Sequence, residues 1–138
     1  MRFALLYHRC PPEFGKPSHW DLLIEHEGQF DAWNLRTLPA DWQAALACRG
    51  AVPGAAAAGP QCGAWELPPH RLEYFDYEGP VSGDRGAVQR FDRGFCRVAE
   101  RDADRVVVHL EGAVLRGEAR LQRCGLGSAE WLLTVVPG

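Results

Sequence analysis

The sequence predicts a mainly β fold in which about eight short antiparallel strands make a compact barrel or sandwich with one or two short helices. Three observations carry this. Residues of one character recur at every second position, as in Trp20, Leu22 and Ile24 or Val106, Val108 and Leu110, the period of a strand with one apolar face. Turn signals recur at short intervals, at Glu27-Gly28, Arg93-Gly94, Asp102-Ala103-Asp104, Glu111-Gly112 and Gly125-Leu126-Gly127. Helical character is confined to one alanine-rich stretch and one short turn.

Taken in order, strands are expected over Arg2 to His8, Ser18 to His26 and Gln29 to Arg36, a small meander. Pro39 to Cys48 reads as a short helix with proline in its first turn, Gly50 beyond its end and an apolar stripe of Trp42 and Leu46, suited to capping an open barrel end. Ala51 to Gly63 lacks periodicity and is nearly free of polar side chains, so it is expected as a mobile surface loop, dispensable for folding. Pro68-Pro69 introduces a helical turn in which His70 and Tyr74, four residues apart, share a face, with Leu72 and Phe75 as anchors. Strands are then expected over Ala87 to Asp92, Phe95 to Arg101, Arg105 to Leu110, Val114 to Arg123 and Glu130 to Val136.

At 138 residues the chain is expected to form one domain, 1–138, able to bury a core without disulfides or a structural metal. A formal charge of −3 argues against a protein that coats nucleic acid, although a grip on a strand end needs only a few local arginines. Lys16 is the only lysine, and arginine is the better fork for phosphate. Five scattered cysteines without a Cys-x-x-Cys pair read as reduced thiols of a cytoplasmic protein. Neither a signal-peptide core nor a membrane span is expected.

The chemistry gathers in Ser18-His19-Trp20-Asp21-Leu22-Leu23-Ile24-Glu25. Strand alternation puts His19, Asp21, Leu23 and Glu25 on one face and Trp20, Leu22 and Ile24 on the other. His8, at the end of the first strand, would return beside His19 across the loop that follows. Two histidines and a carboxylate, His8, His19 and Asp21, make a common set for a catalytic divalent metal with positions open to water or substrate. A His-x-Asp pair alone is more often a surface pair hydrogen-bonded to backbone or water than a metal site.

The stretch His19-Trp20-Asp21-Leu22-Leu23-Ile24-Glu25 resembles the His-Tyr-Asp-Leu-Arg-Leu-Glu signature of the 3′-phosphoesterase domain of bacterial DNA ligase D. His70-Arg71-Leu72-Glu73-Tyr74-Phe75-Asp76-Tyr77-Glu78-Gly79 resembles that family's His-Pro-Leu-Glu-Tyr-Ala-Asp-Phe-Glu-Gly. Ser82-Gly83-Asp84-Arg85-Gly86, Phe91-Asp92-Arg93-Gly94 and Trp131-Leu132-Leu133 follow in the family's order. The resemblance implies a barrel with a metal on a concave face, ligands at His8, His19 and Asp21, and manganese as the metal, with zinc as the alternative. It implies His70 as a phosphate-contacting catalytic residue with Tyr74 beside it, and removal of 3′-terminal ribonucleosides and 3′-phosphates. The implied partners are a nucleic-acid 3′ end or small phosphoester, and DNA repair proteins, with no membrane.

The chain departs from the family in three places. His8 and His19 are farther apart, Leu23 replaces an arginine between the Asp and Glu, and a second arginine has no counterpart upstream of His70. Arg71 and Arg85 are the nearest substitutes for binding substrate. Leu23→Arg is accordingly expected to restore a phosphate fork, if position 23 faces the pocket. Three functions are expected in order: a metal-dependent phosphoesterase, a noncatalytic metal-bearing module that binds a strand end or protein, and a nonhaem Fe(II) oxygenase using His19, Asp21 and His70.

Overall fold

The structure is a computed structural model that describes residues 1–81 and 86–137. Its strands are β1 (Arg2–Arg9), β2 (His19–His26), β3 (Gln29–Leu35), β4 (Gln61–His70), β5 (Gly79–Pro80), β6 (Ala87–Arg101), β7 (Arg105–Gly112), β8 (Arg116–Arg123) and β9 (Glu130–Val136). They pair antiparallel in the order β1-β2-β3-β4-β9-β8-β7-β6, and β6 pairs back to β1. The eight strands therefore close into a barrel, with β5 a short addition on β6. Closure leaves no barrel edge to template aggregation.

Alternation divides each strand between the barrel interior and its outer wall. Phe3 and Leu5, Trp20, Leu22 and Ile24, Trp33 and Leu35, Cys62 and Ala64, Phe91 and Cys96, Val106, Val108 and Leu110, Ala119 and Leu121, and Trp131, Leu133 and Val135 form one continuous core. Helix α1 (Ala40–Leu46), extended by a 3₁₀ turn over Ala47–Arg49, adds Trp42 and Leu46 to that core and caps one end. The other end is polar: Arg101 pairs with Asp31, and Arg123 holds Glu66 and Asp104, each at 2.9 Å.

The eight barrel strands are not the eight expected. The segments Ala87 to Asp92 and Phe95 to Arg101 are one strand, β6, and Arg93-Gly94 is no turn. Gly94 faces Gly112 across the β6/β7 pair, and a Cβ there would overlap the Glu111 carbonyl oxygen. The glycine serves a close approach of two backbones rather than a reversal. Its neighbour Asp92 is buried and accepts hydrogen bonds from the Val114 and Leu115 N–H groups at 3.2 and 2.8 Å, which fixes the β7–β8 connection.

The strand missed in the sequence is β4, which runs through the end of the expected loop and through Pro68-Pro69. Proline removes ladder donors and hides a strand, but it is tolerated at bulges. The β3/β4 register shifts there, from Ala32 opposite Leu67 to Phe30 opposite His70. The prolines therefore end a strand, and the helical turn begins later, as a 3₁₀ turn over Leu72–Phe75.

The expected loop is also tied down. Leu38 bridges Ala56, the Ala57 N–H donates to Leu38 O at 2.8 Å, and Ala40 N–H donates to Gly59 O at 3.0 Å. Val52 and Ala57 pack against the core. Replacing residues 52–59 by glycine and serine at equal length should lower stability by about 2 kcal/mol, from lost apolar burial. That is a fall of roughly 6–8 °C in Tm for a domain of this size. An unchanged Tm would return this segment to the status of a dispensable loop.

Candidate metal centre

The outer wall of β1 and β2 carries the chemistry. Antiparallel register sets Ala4 opposite Leu23, Leu6 opposite Asp21 and His8 opposite His19, so these six side chains share one face. The row begins apolar and becomes polar toward the end of β1. The His8 and His19 rings lie 5.0 Å apart between centroids, tilted by 59°.

Beyond β1 the chain turns through a 3₁₀ turn, Pro12–Phe14, and Gly15 at φ 75°. The Cys10 N–H donates to Ser18 Oγ at 2.9 Å, which ties the exit of β1 to the entry of β2. This tie brings Cys10 into the site. His8, Cys10 and His19 offer ligand atoms that all lie within 4.8 Å of one another, a group able to hold a metal ion. Burial pushes the Cys10 thiol above its usual range, opposed by Lys16 and reinforced by Asp21.

His19 is oriented from behind. Its Nδ1 lies 3.0 Å from Pro17 O, an acceptor that assigns the ring proton to Nδ1 and leaves Nε2 as the basic nitrogen. Asp21 Oδ1 faces that Nε2 at 3.3 Å, is buried, and accepts no hydrogen bond from a described residue. A neutral ring has one N–H to give, so a nitrogen lone pair and a carboxylate oxygen confront each other unless a cation stands between them. A buried carboxylate oxygen without a donor is costly. The donor set thus fits a metal ion, with Asp21 against His19 beside the His8, Cys10 and His19 group.

Above this wall lies the segment from Leu67 to Val81. Phe75 anchors it, stacked on Phe30 at 6.2 Å between ring centroids. The Arg2 and Arg93 guanidinium carbons stand 5.2 and 5.0 Å from the Phe75 ring centre. Arg2 also grips Glu25 through two side-chain hydrogen bonds of 3.0 Å, which hold the Glu25 carboxyl below the usual carboxylate range. Glu25 therefore serves the clamp rather than the ligand group.

The β4 bulge decides where His70 points. It is the third position after Leu67, a spacing that would turn it inward in a regular strand; the extra residue returns it to the outer wall opposite Phe30. Its Nδ1 lies 3.1 Å from Pro68 O, repeating the arrangement of His19 on Pro17. The Tyr74 ring stands 5.4 Å from His70. His8, His19, Asp21, His70, Arg71 and Tyr74 all line one cleft of about 390 Å³, with Lys16 at its side. Arg71 is exposed there and pairs with Glu73 at 3.2 Å. Arg85 lies outside the described residues.

Leu23 faces the same side as Asp21, but it does not line the cleft. It is fully buried with Ala4, Leu6, Phe30, Ala32 and Val88, and Leu67, Leu72 and Phe75 cover that cluster. The expectation that Leu23→Arg restores a phosphate fork therefore fails, because position 23 is sealed under the 67–81 segment. Cys10 and Lys16 were missed in the sequence. The one signal for Cys10 was its place two residues after His8, and its approach depends on a tie to Ser18 that spacing alone does not show.

No protein-family model matches this chain, and no curated protein matches it significantly.

Proposed function

We propose that the outer-wall cleft is the active site of a metal-dependent phosphoesterase that acts on nucleic-acid 3′ ends. The observation that carries this reading is convergence: His8 and His19, two members of the group able to hold a metal, line the same cleft as Asp21, His70, Tyr74, Arg71 and Lys16. Metal ligands and phosphate-directed cations in one crevice are what phosphoryl transfer requires. The resemblance to the ligase D phosphoesterase domain supplies the choice of a 3′ end.

A divalent metal held on these ligands would set positive charge against a nonbridging phosphoryl oxygen. Arg71 and Lys16 hold the remaining phosphate oxygens, Arg71 by a fork and Lys16 as a point charge. His70, its Nδ1 committed to Pro68 O, handles a proton through Nε2 at the attacking or leaving oxygen. The Tyr74 hydroxyl donates beside it. A thiolate among the ligands favours zinc over the manganese that the resemblance implies, because manganese prefers oxygen donors.

A noncatalytic metal-bearing module that binds a strand end is the second reading, and the sealed Leu23 favours it, since the fork expected beside the metal has no equivalent at that position. The oxygenase reading would need His19, Asp21 and His70 as one ligand set, and His70 is not part of the group gathered around His19.

Turnover of oligonucleotides ending in a 3′-phosphate or 3′-ribonucleotide separates these readings, measured on protein loaded with zinc, manganese or cobalt. His70→Ala should lower turnover by roughly 10²- to 10⁴-fold while metal content stays unchanged, the range expected for loss of a general acid or base. Metal binding without turnover of any such substrate would transfer the assignment to the second reading.

A further inference from the structure

Four of the five tryptophans are buried, and Trp65 is not: it is 54% exposed. It projects from the outer wall of β4, in register with Asn34 of β3, which is itself in register with Asp21 of β2. Asp21, Asn34 and Trp65 thus form one row across three adjacent strands. At the usual strand spacing the Trp65 backbone stands about 10 Å from that of Asp21, beside the metal group.

Trp65 belongs to a second cleft, of about 610 Å³, that includes Asn34, Arg36, Thr37 and Glu130. This cleft and the metal cleft share Lys16 and Leu67 in their linings, so the two adjoin and make one grooved face. Lys16 and Arg36 form no ion pair with a described residue, which leaves two positive charges on the groove. Glu130 rims the far side, in register with Trp65 on β9, and directs an anionic backbone toward the Lys16 side.

We infer that Trp65 is the stacking platform for the base of the strand-terminal nucleotide, whose 3′-phosphate lies in the metal cleft. This rests on the phosphoesterase reading and names its substrate class: an unpaired nucleotide at a strand end, held through its base as well as its phosphate. An exposed indole offers a flat apolar face that any base can cover, and stacking is tolerant of base identity. The separation suits the reach from a terminal phosphate across its sugar to its base. Lys16, at the junction of the clefts, sits where the phosphate and sugar pass. Asn34 and Thr37 supply polar edges without selecting one base.

The test uses the metal-loaded full chain and three probes: a short DNA strand ending in a 3′-methylenephosphonate, which has no ester bond to cleave, the same strand with an abasic last nucleotide, and inorganic phosphate. Wild type should bind the intact strand roughly 5- to 100-fold more tightly than the abasic one, the range of one stacked base. Trp65→Ala should abolish that preference and leave phosphate affinity and Tm unchanged, while Trp65→Phe keeps most of it. If Trp65→Ala still prefers the intact strand, the platform is refuted and the phosphoesterase reading survives. If the preference depends on Trp65 but inorganic phosphate neither binds nor competes with the intact strand, the platform stands and the phosphoesterase reading falls. Failure of wild type to bind any of the three probes overturns both.

Discussion

Leu23→Arg should destabilise the protein severely rather than equip it for catalysis. Leu23 is buried with Ala32 and Leu6 in a cluster that Leu67, Leu72 and Phe75 cover from above, so a guanidinium placed there lies among apolar side chains and is cut off from water. An uncompensated buried charge costs about 3–5 kcal/mol, and the added bulk about 1–3 kcal/mol more. Against a total stability of about 5–15 kcal/mol this is a large fraction. A fall in Tm on the order of 15 °C is expected, or loss of soluble protein. Leu23→Met, which conserves volume, should cost less than about 1.5 kcal/mol. Wild-type Tm for Leu23→Arg would mean that the 67–81 segment does not close over the wall, and the cleft would then need another description.

The second large effect concerns the ligand group. His19→Ala removes a ligand whose orientation is fixed by Pro17 O, and it should weaken metal binding by more than about a hundredfold, since even a supporting group contributes roughly 10- to 100-fold. Asp21→Asn should fall within that lower range, because it keeps the shape and removes the charge facing His19 Nε2. Neither change should unfold the protein: both residues sit on the outer wall, and Asp21 Oδ1 contributes no hydrogen bond to the described fold. Competition against a chromophoric chelator reads these affinities directly. Equal affinity in wild type and His19→Ala would remove His19 from the site.

How much of this could be read from the sequence follows from which steps are local. The common face of His19 and Asp21 was legible because the strand period of two is a property of the chain itself. The capping role of Trp42 and Leu46 was legible from helical spacing. β4 was not, because Pro68-Pro69 and Gly63 mask a strand that survives by bulging. His70 and Tyr74 do share the cleft, but through that bulge and the Leu72–Phe75 turn rather than through helical spacing. Cys10 and Leu23 depended on contacts between distant segments: the Ser18 tie in one case and the 67–81 cover in the other. Side-chain types at a given spacing told which face a residue takes and left open what lies over that face.

Cobalt(II) reports its ligands in its absorption, so titrating the full chain with it reads the His8, Cys10 and His19 group directly. One equivalent should bind, with a near-ultraviolet thiolate-to-cobalt charge-transfer band that Cys10→Ser abolishes while the visible cobalt bands persist on His8 and His19. A metal centre on these three residues is contradicted if wild-type protein takes up no cobalt, or if the spectrum and affinity are unaltered when His8, Cys10 and His19 are replaced together.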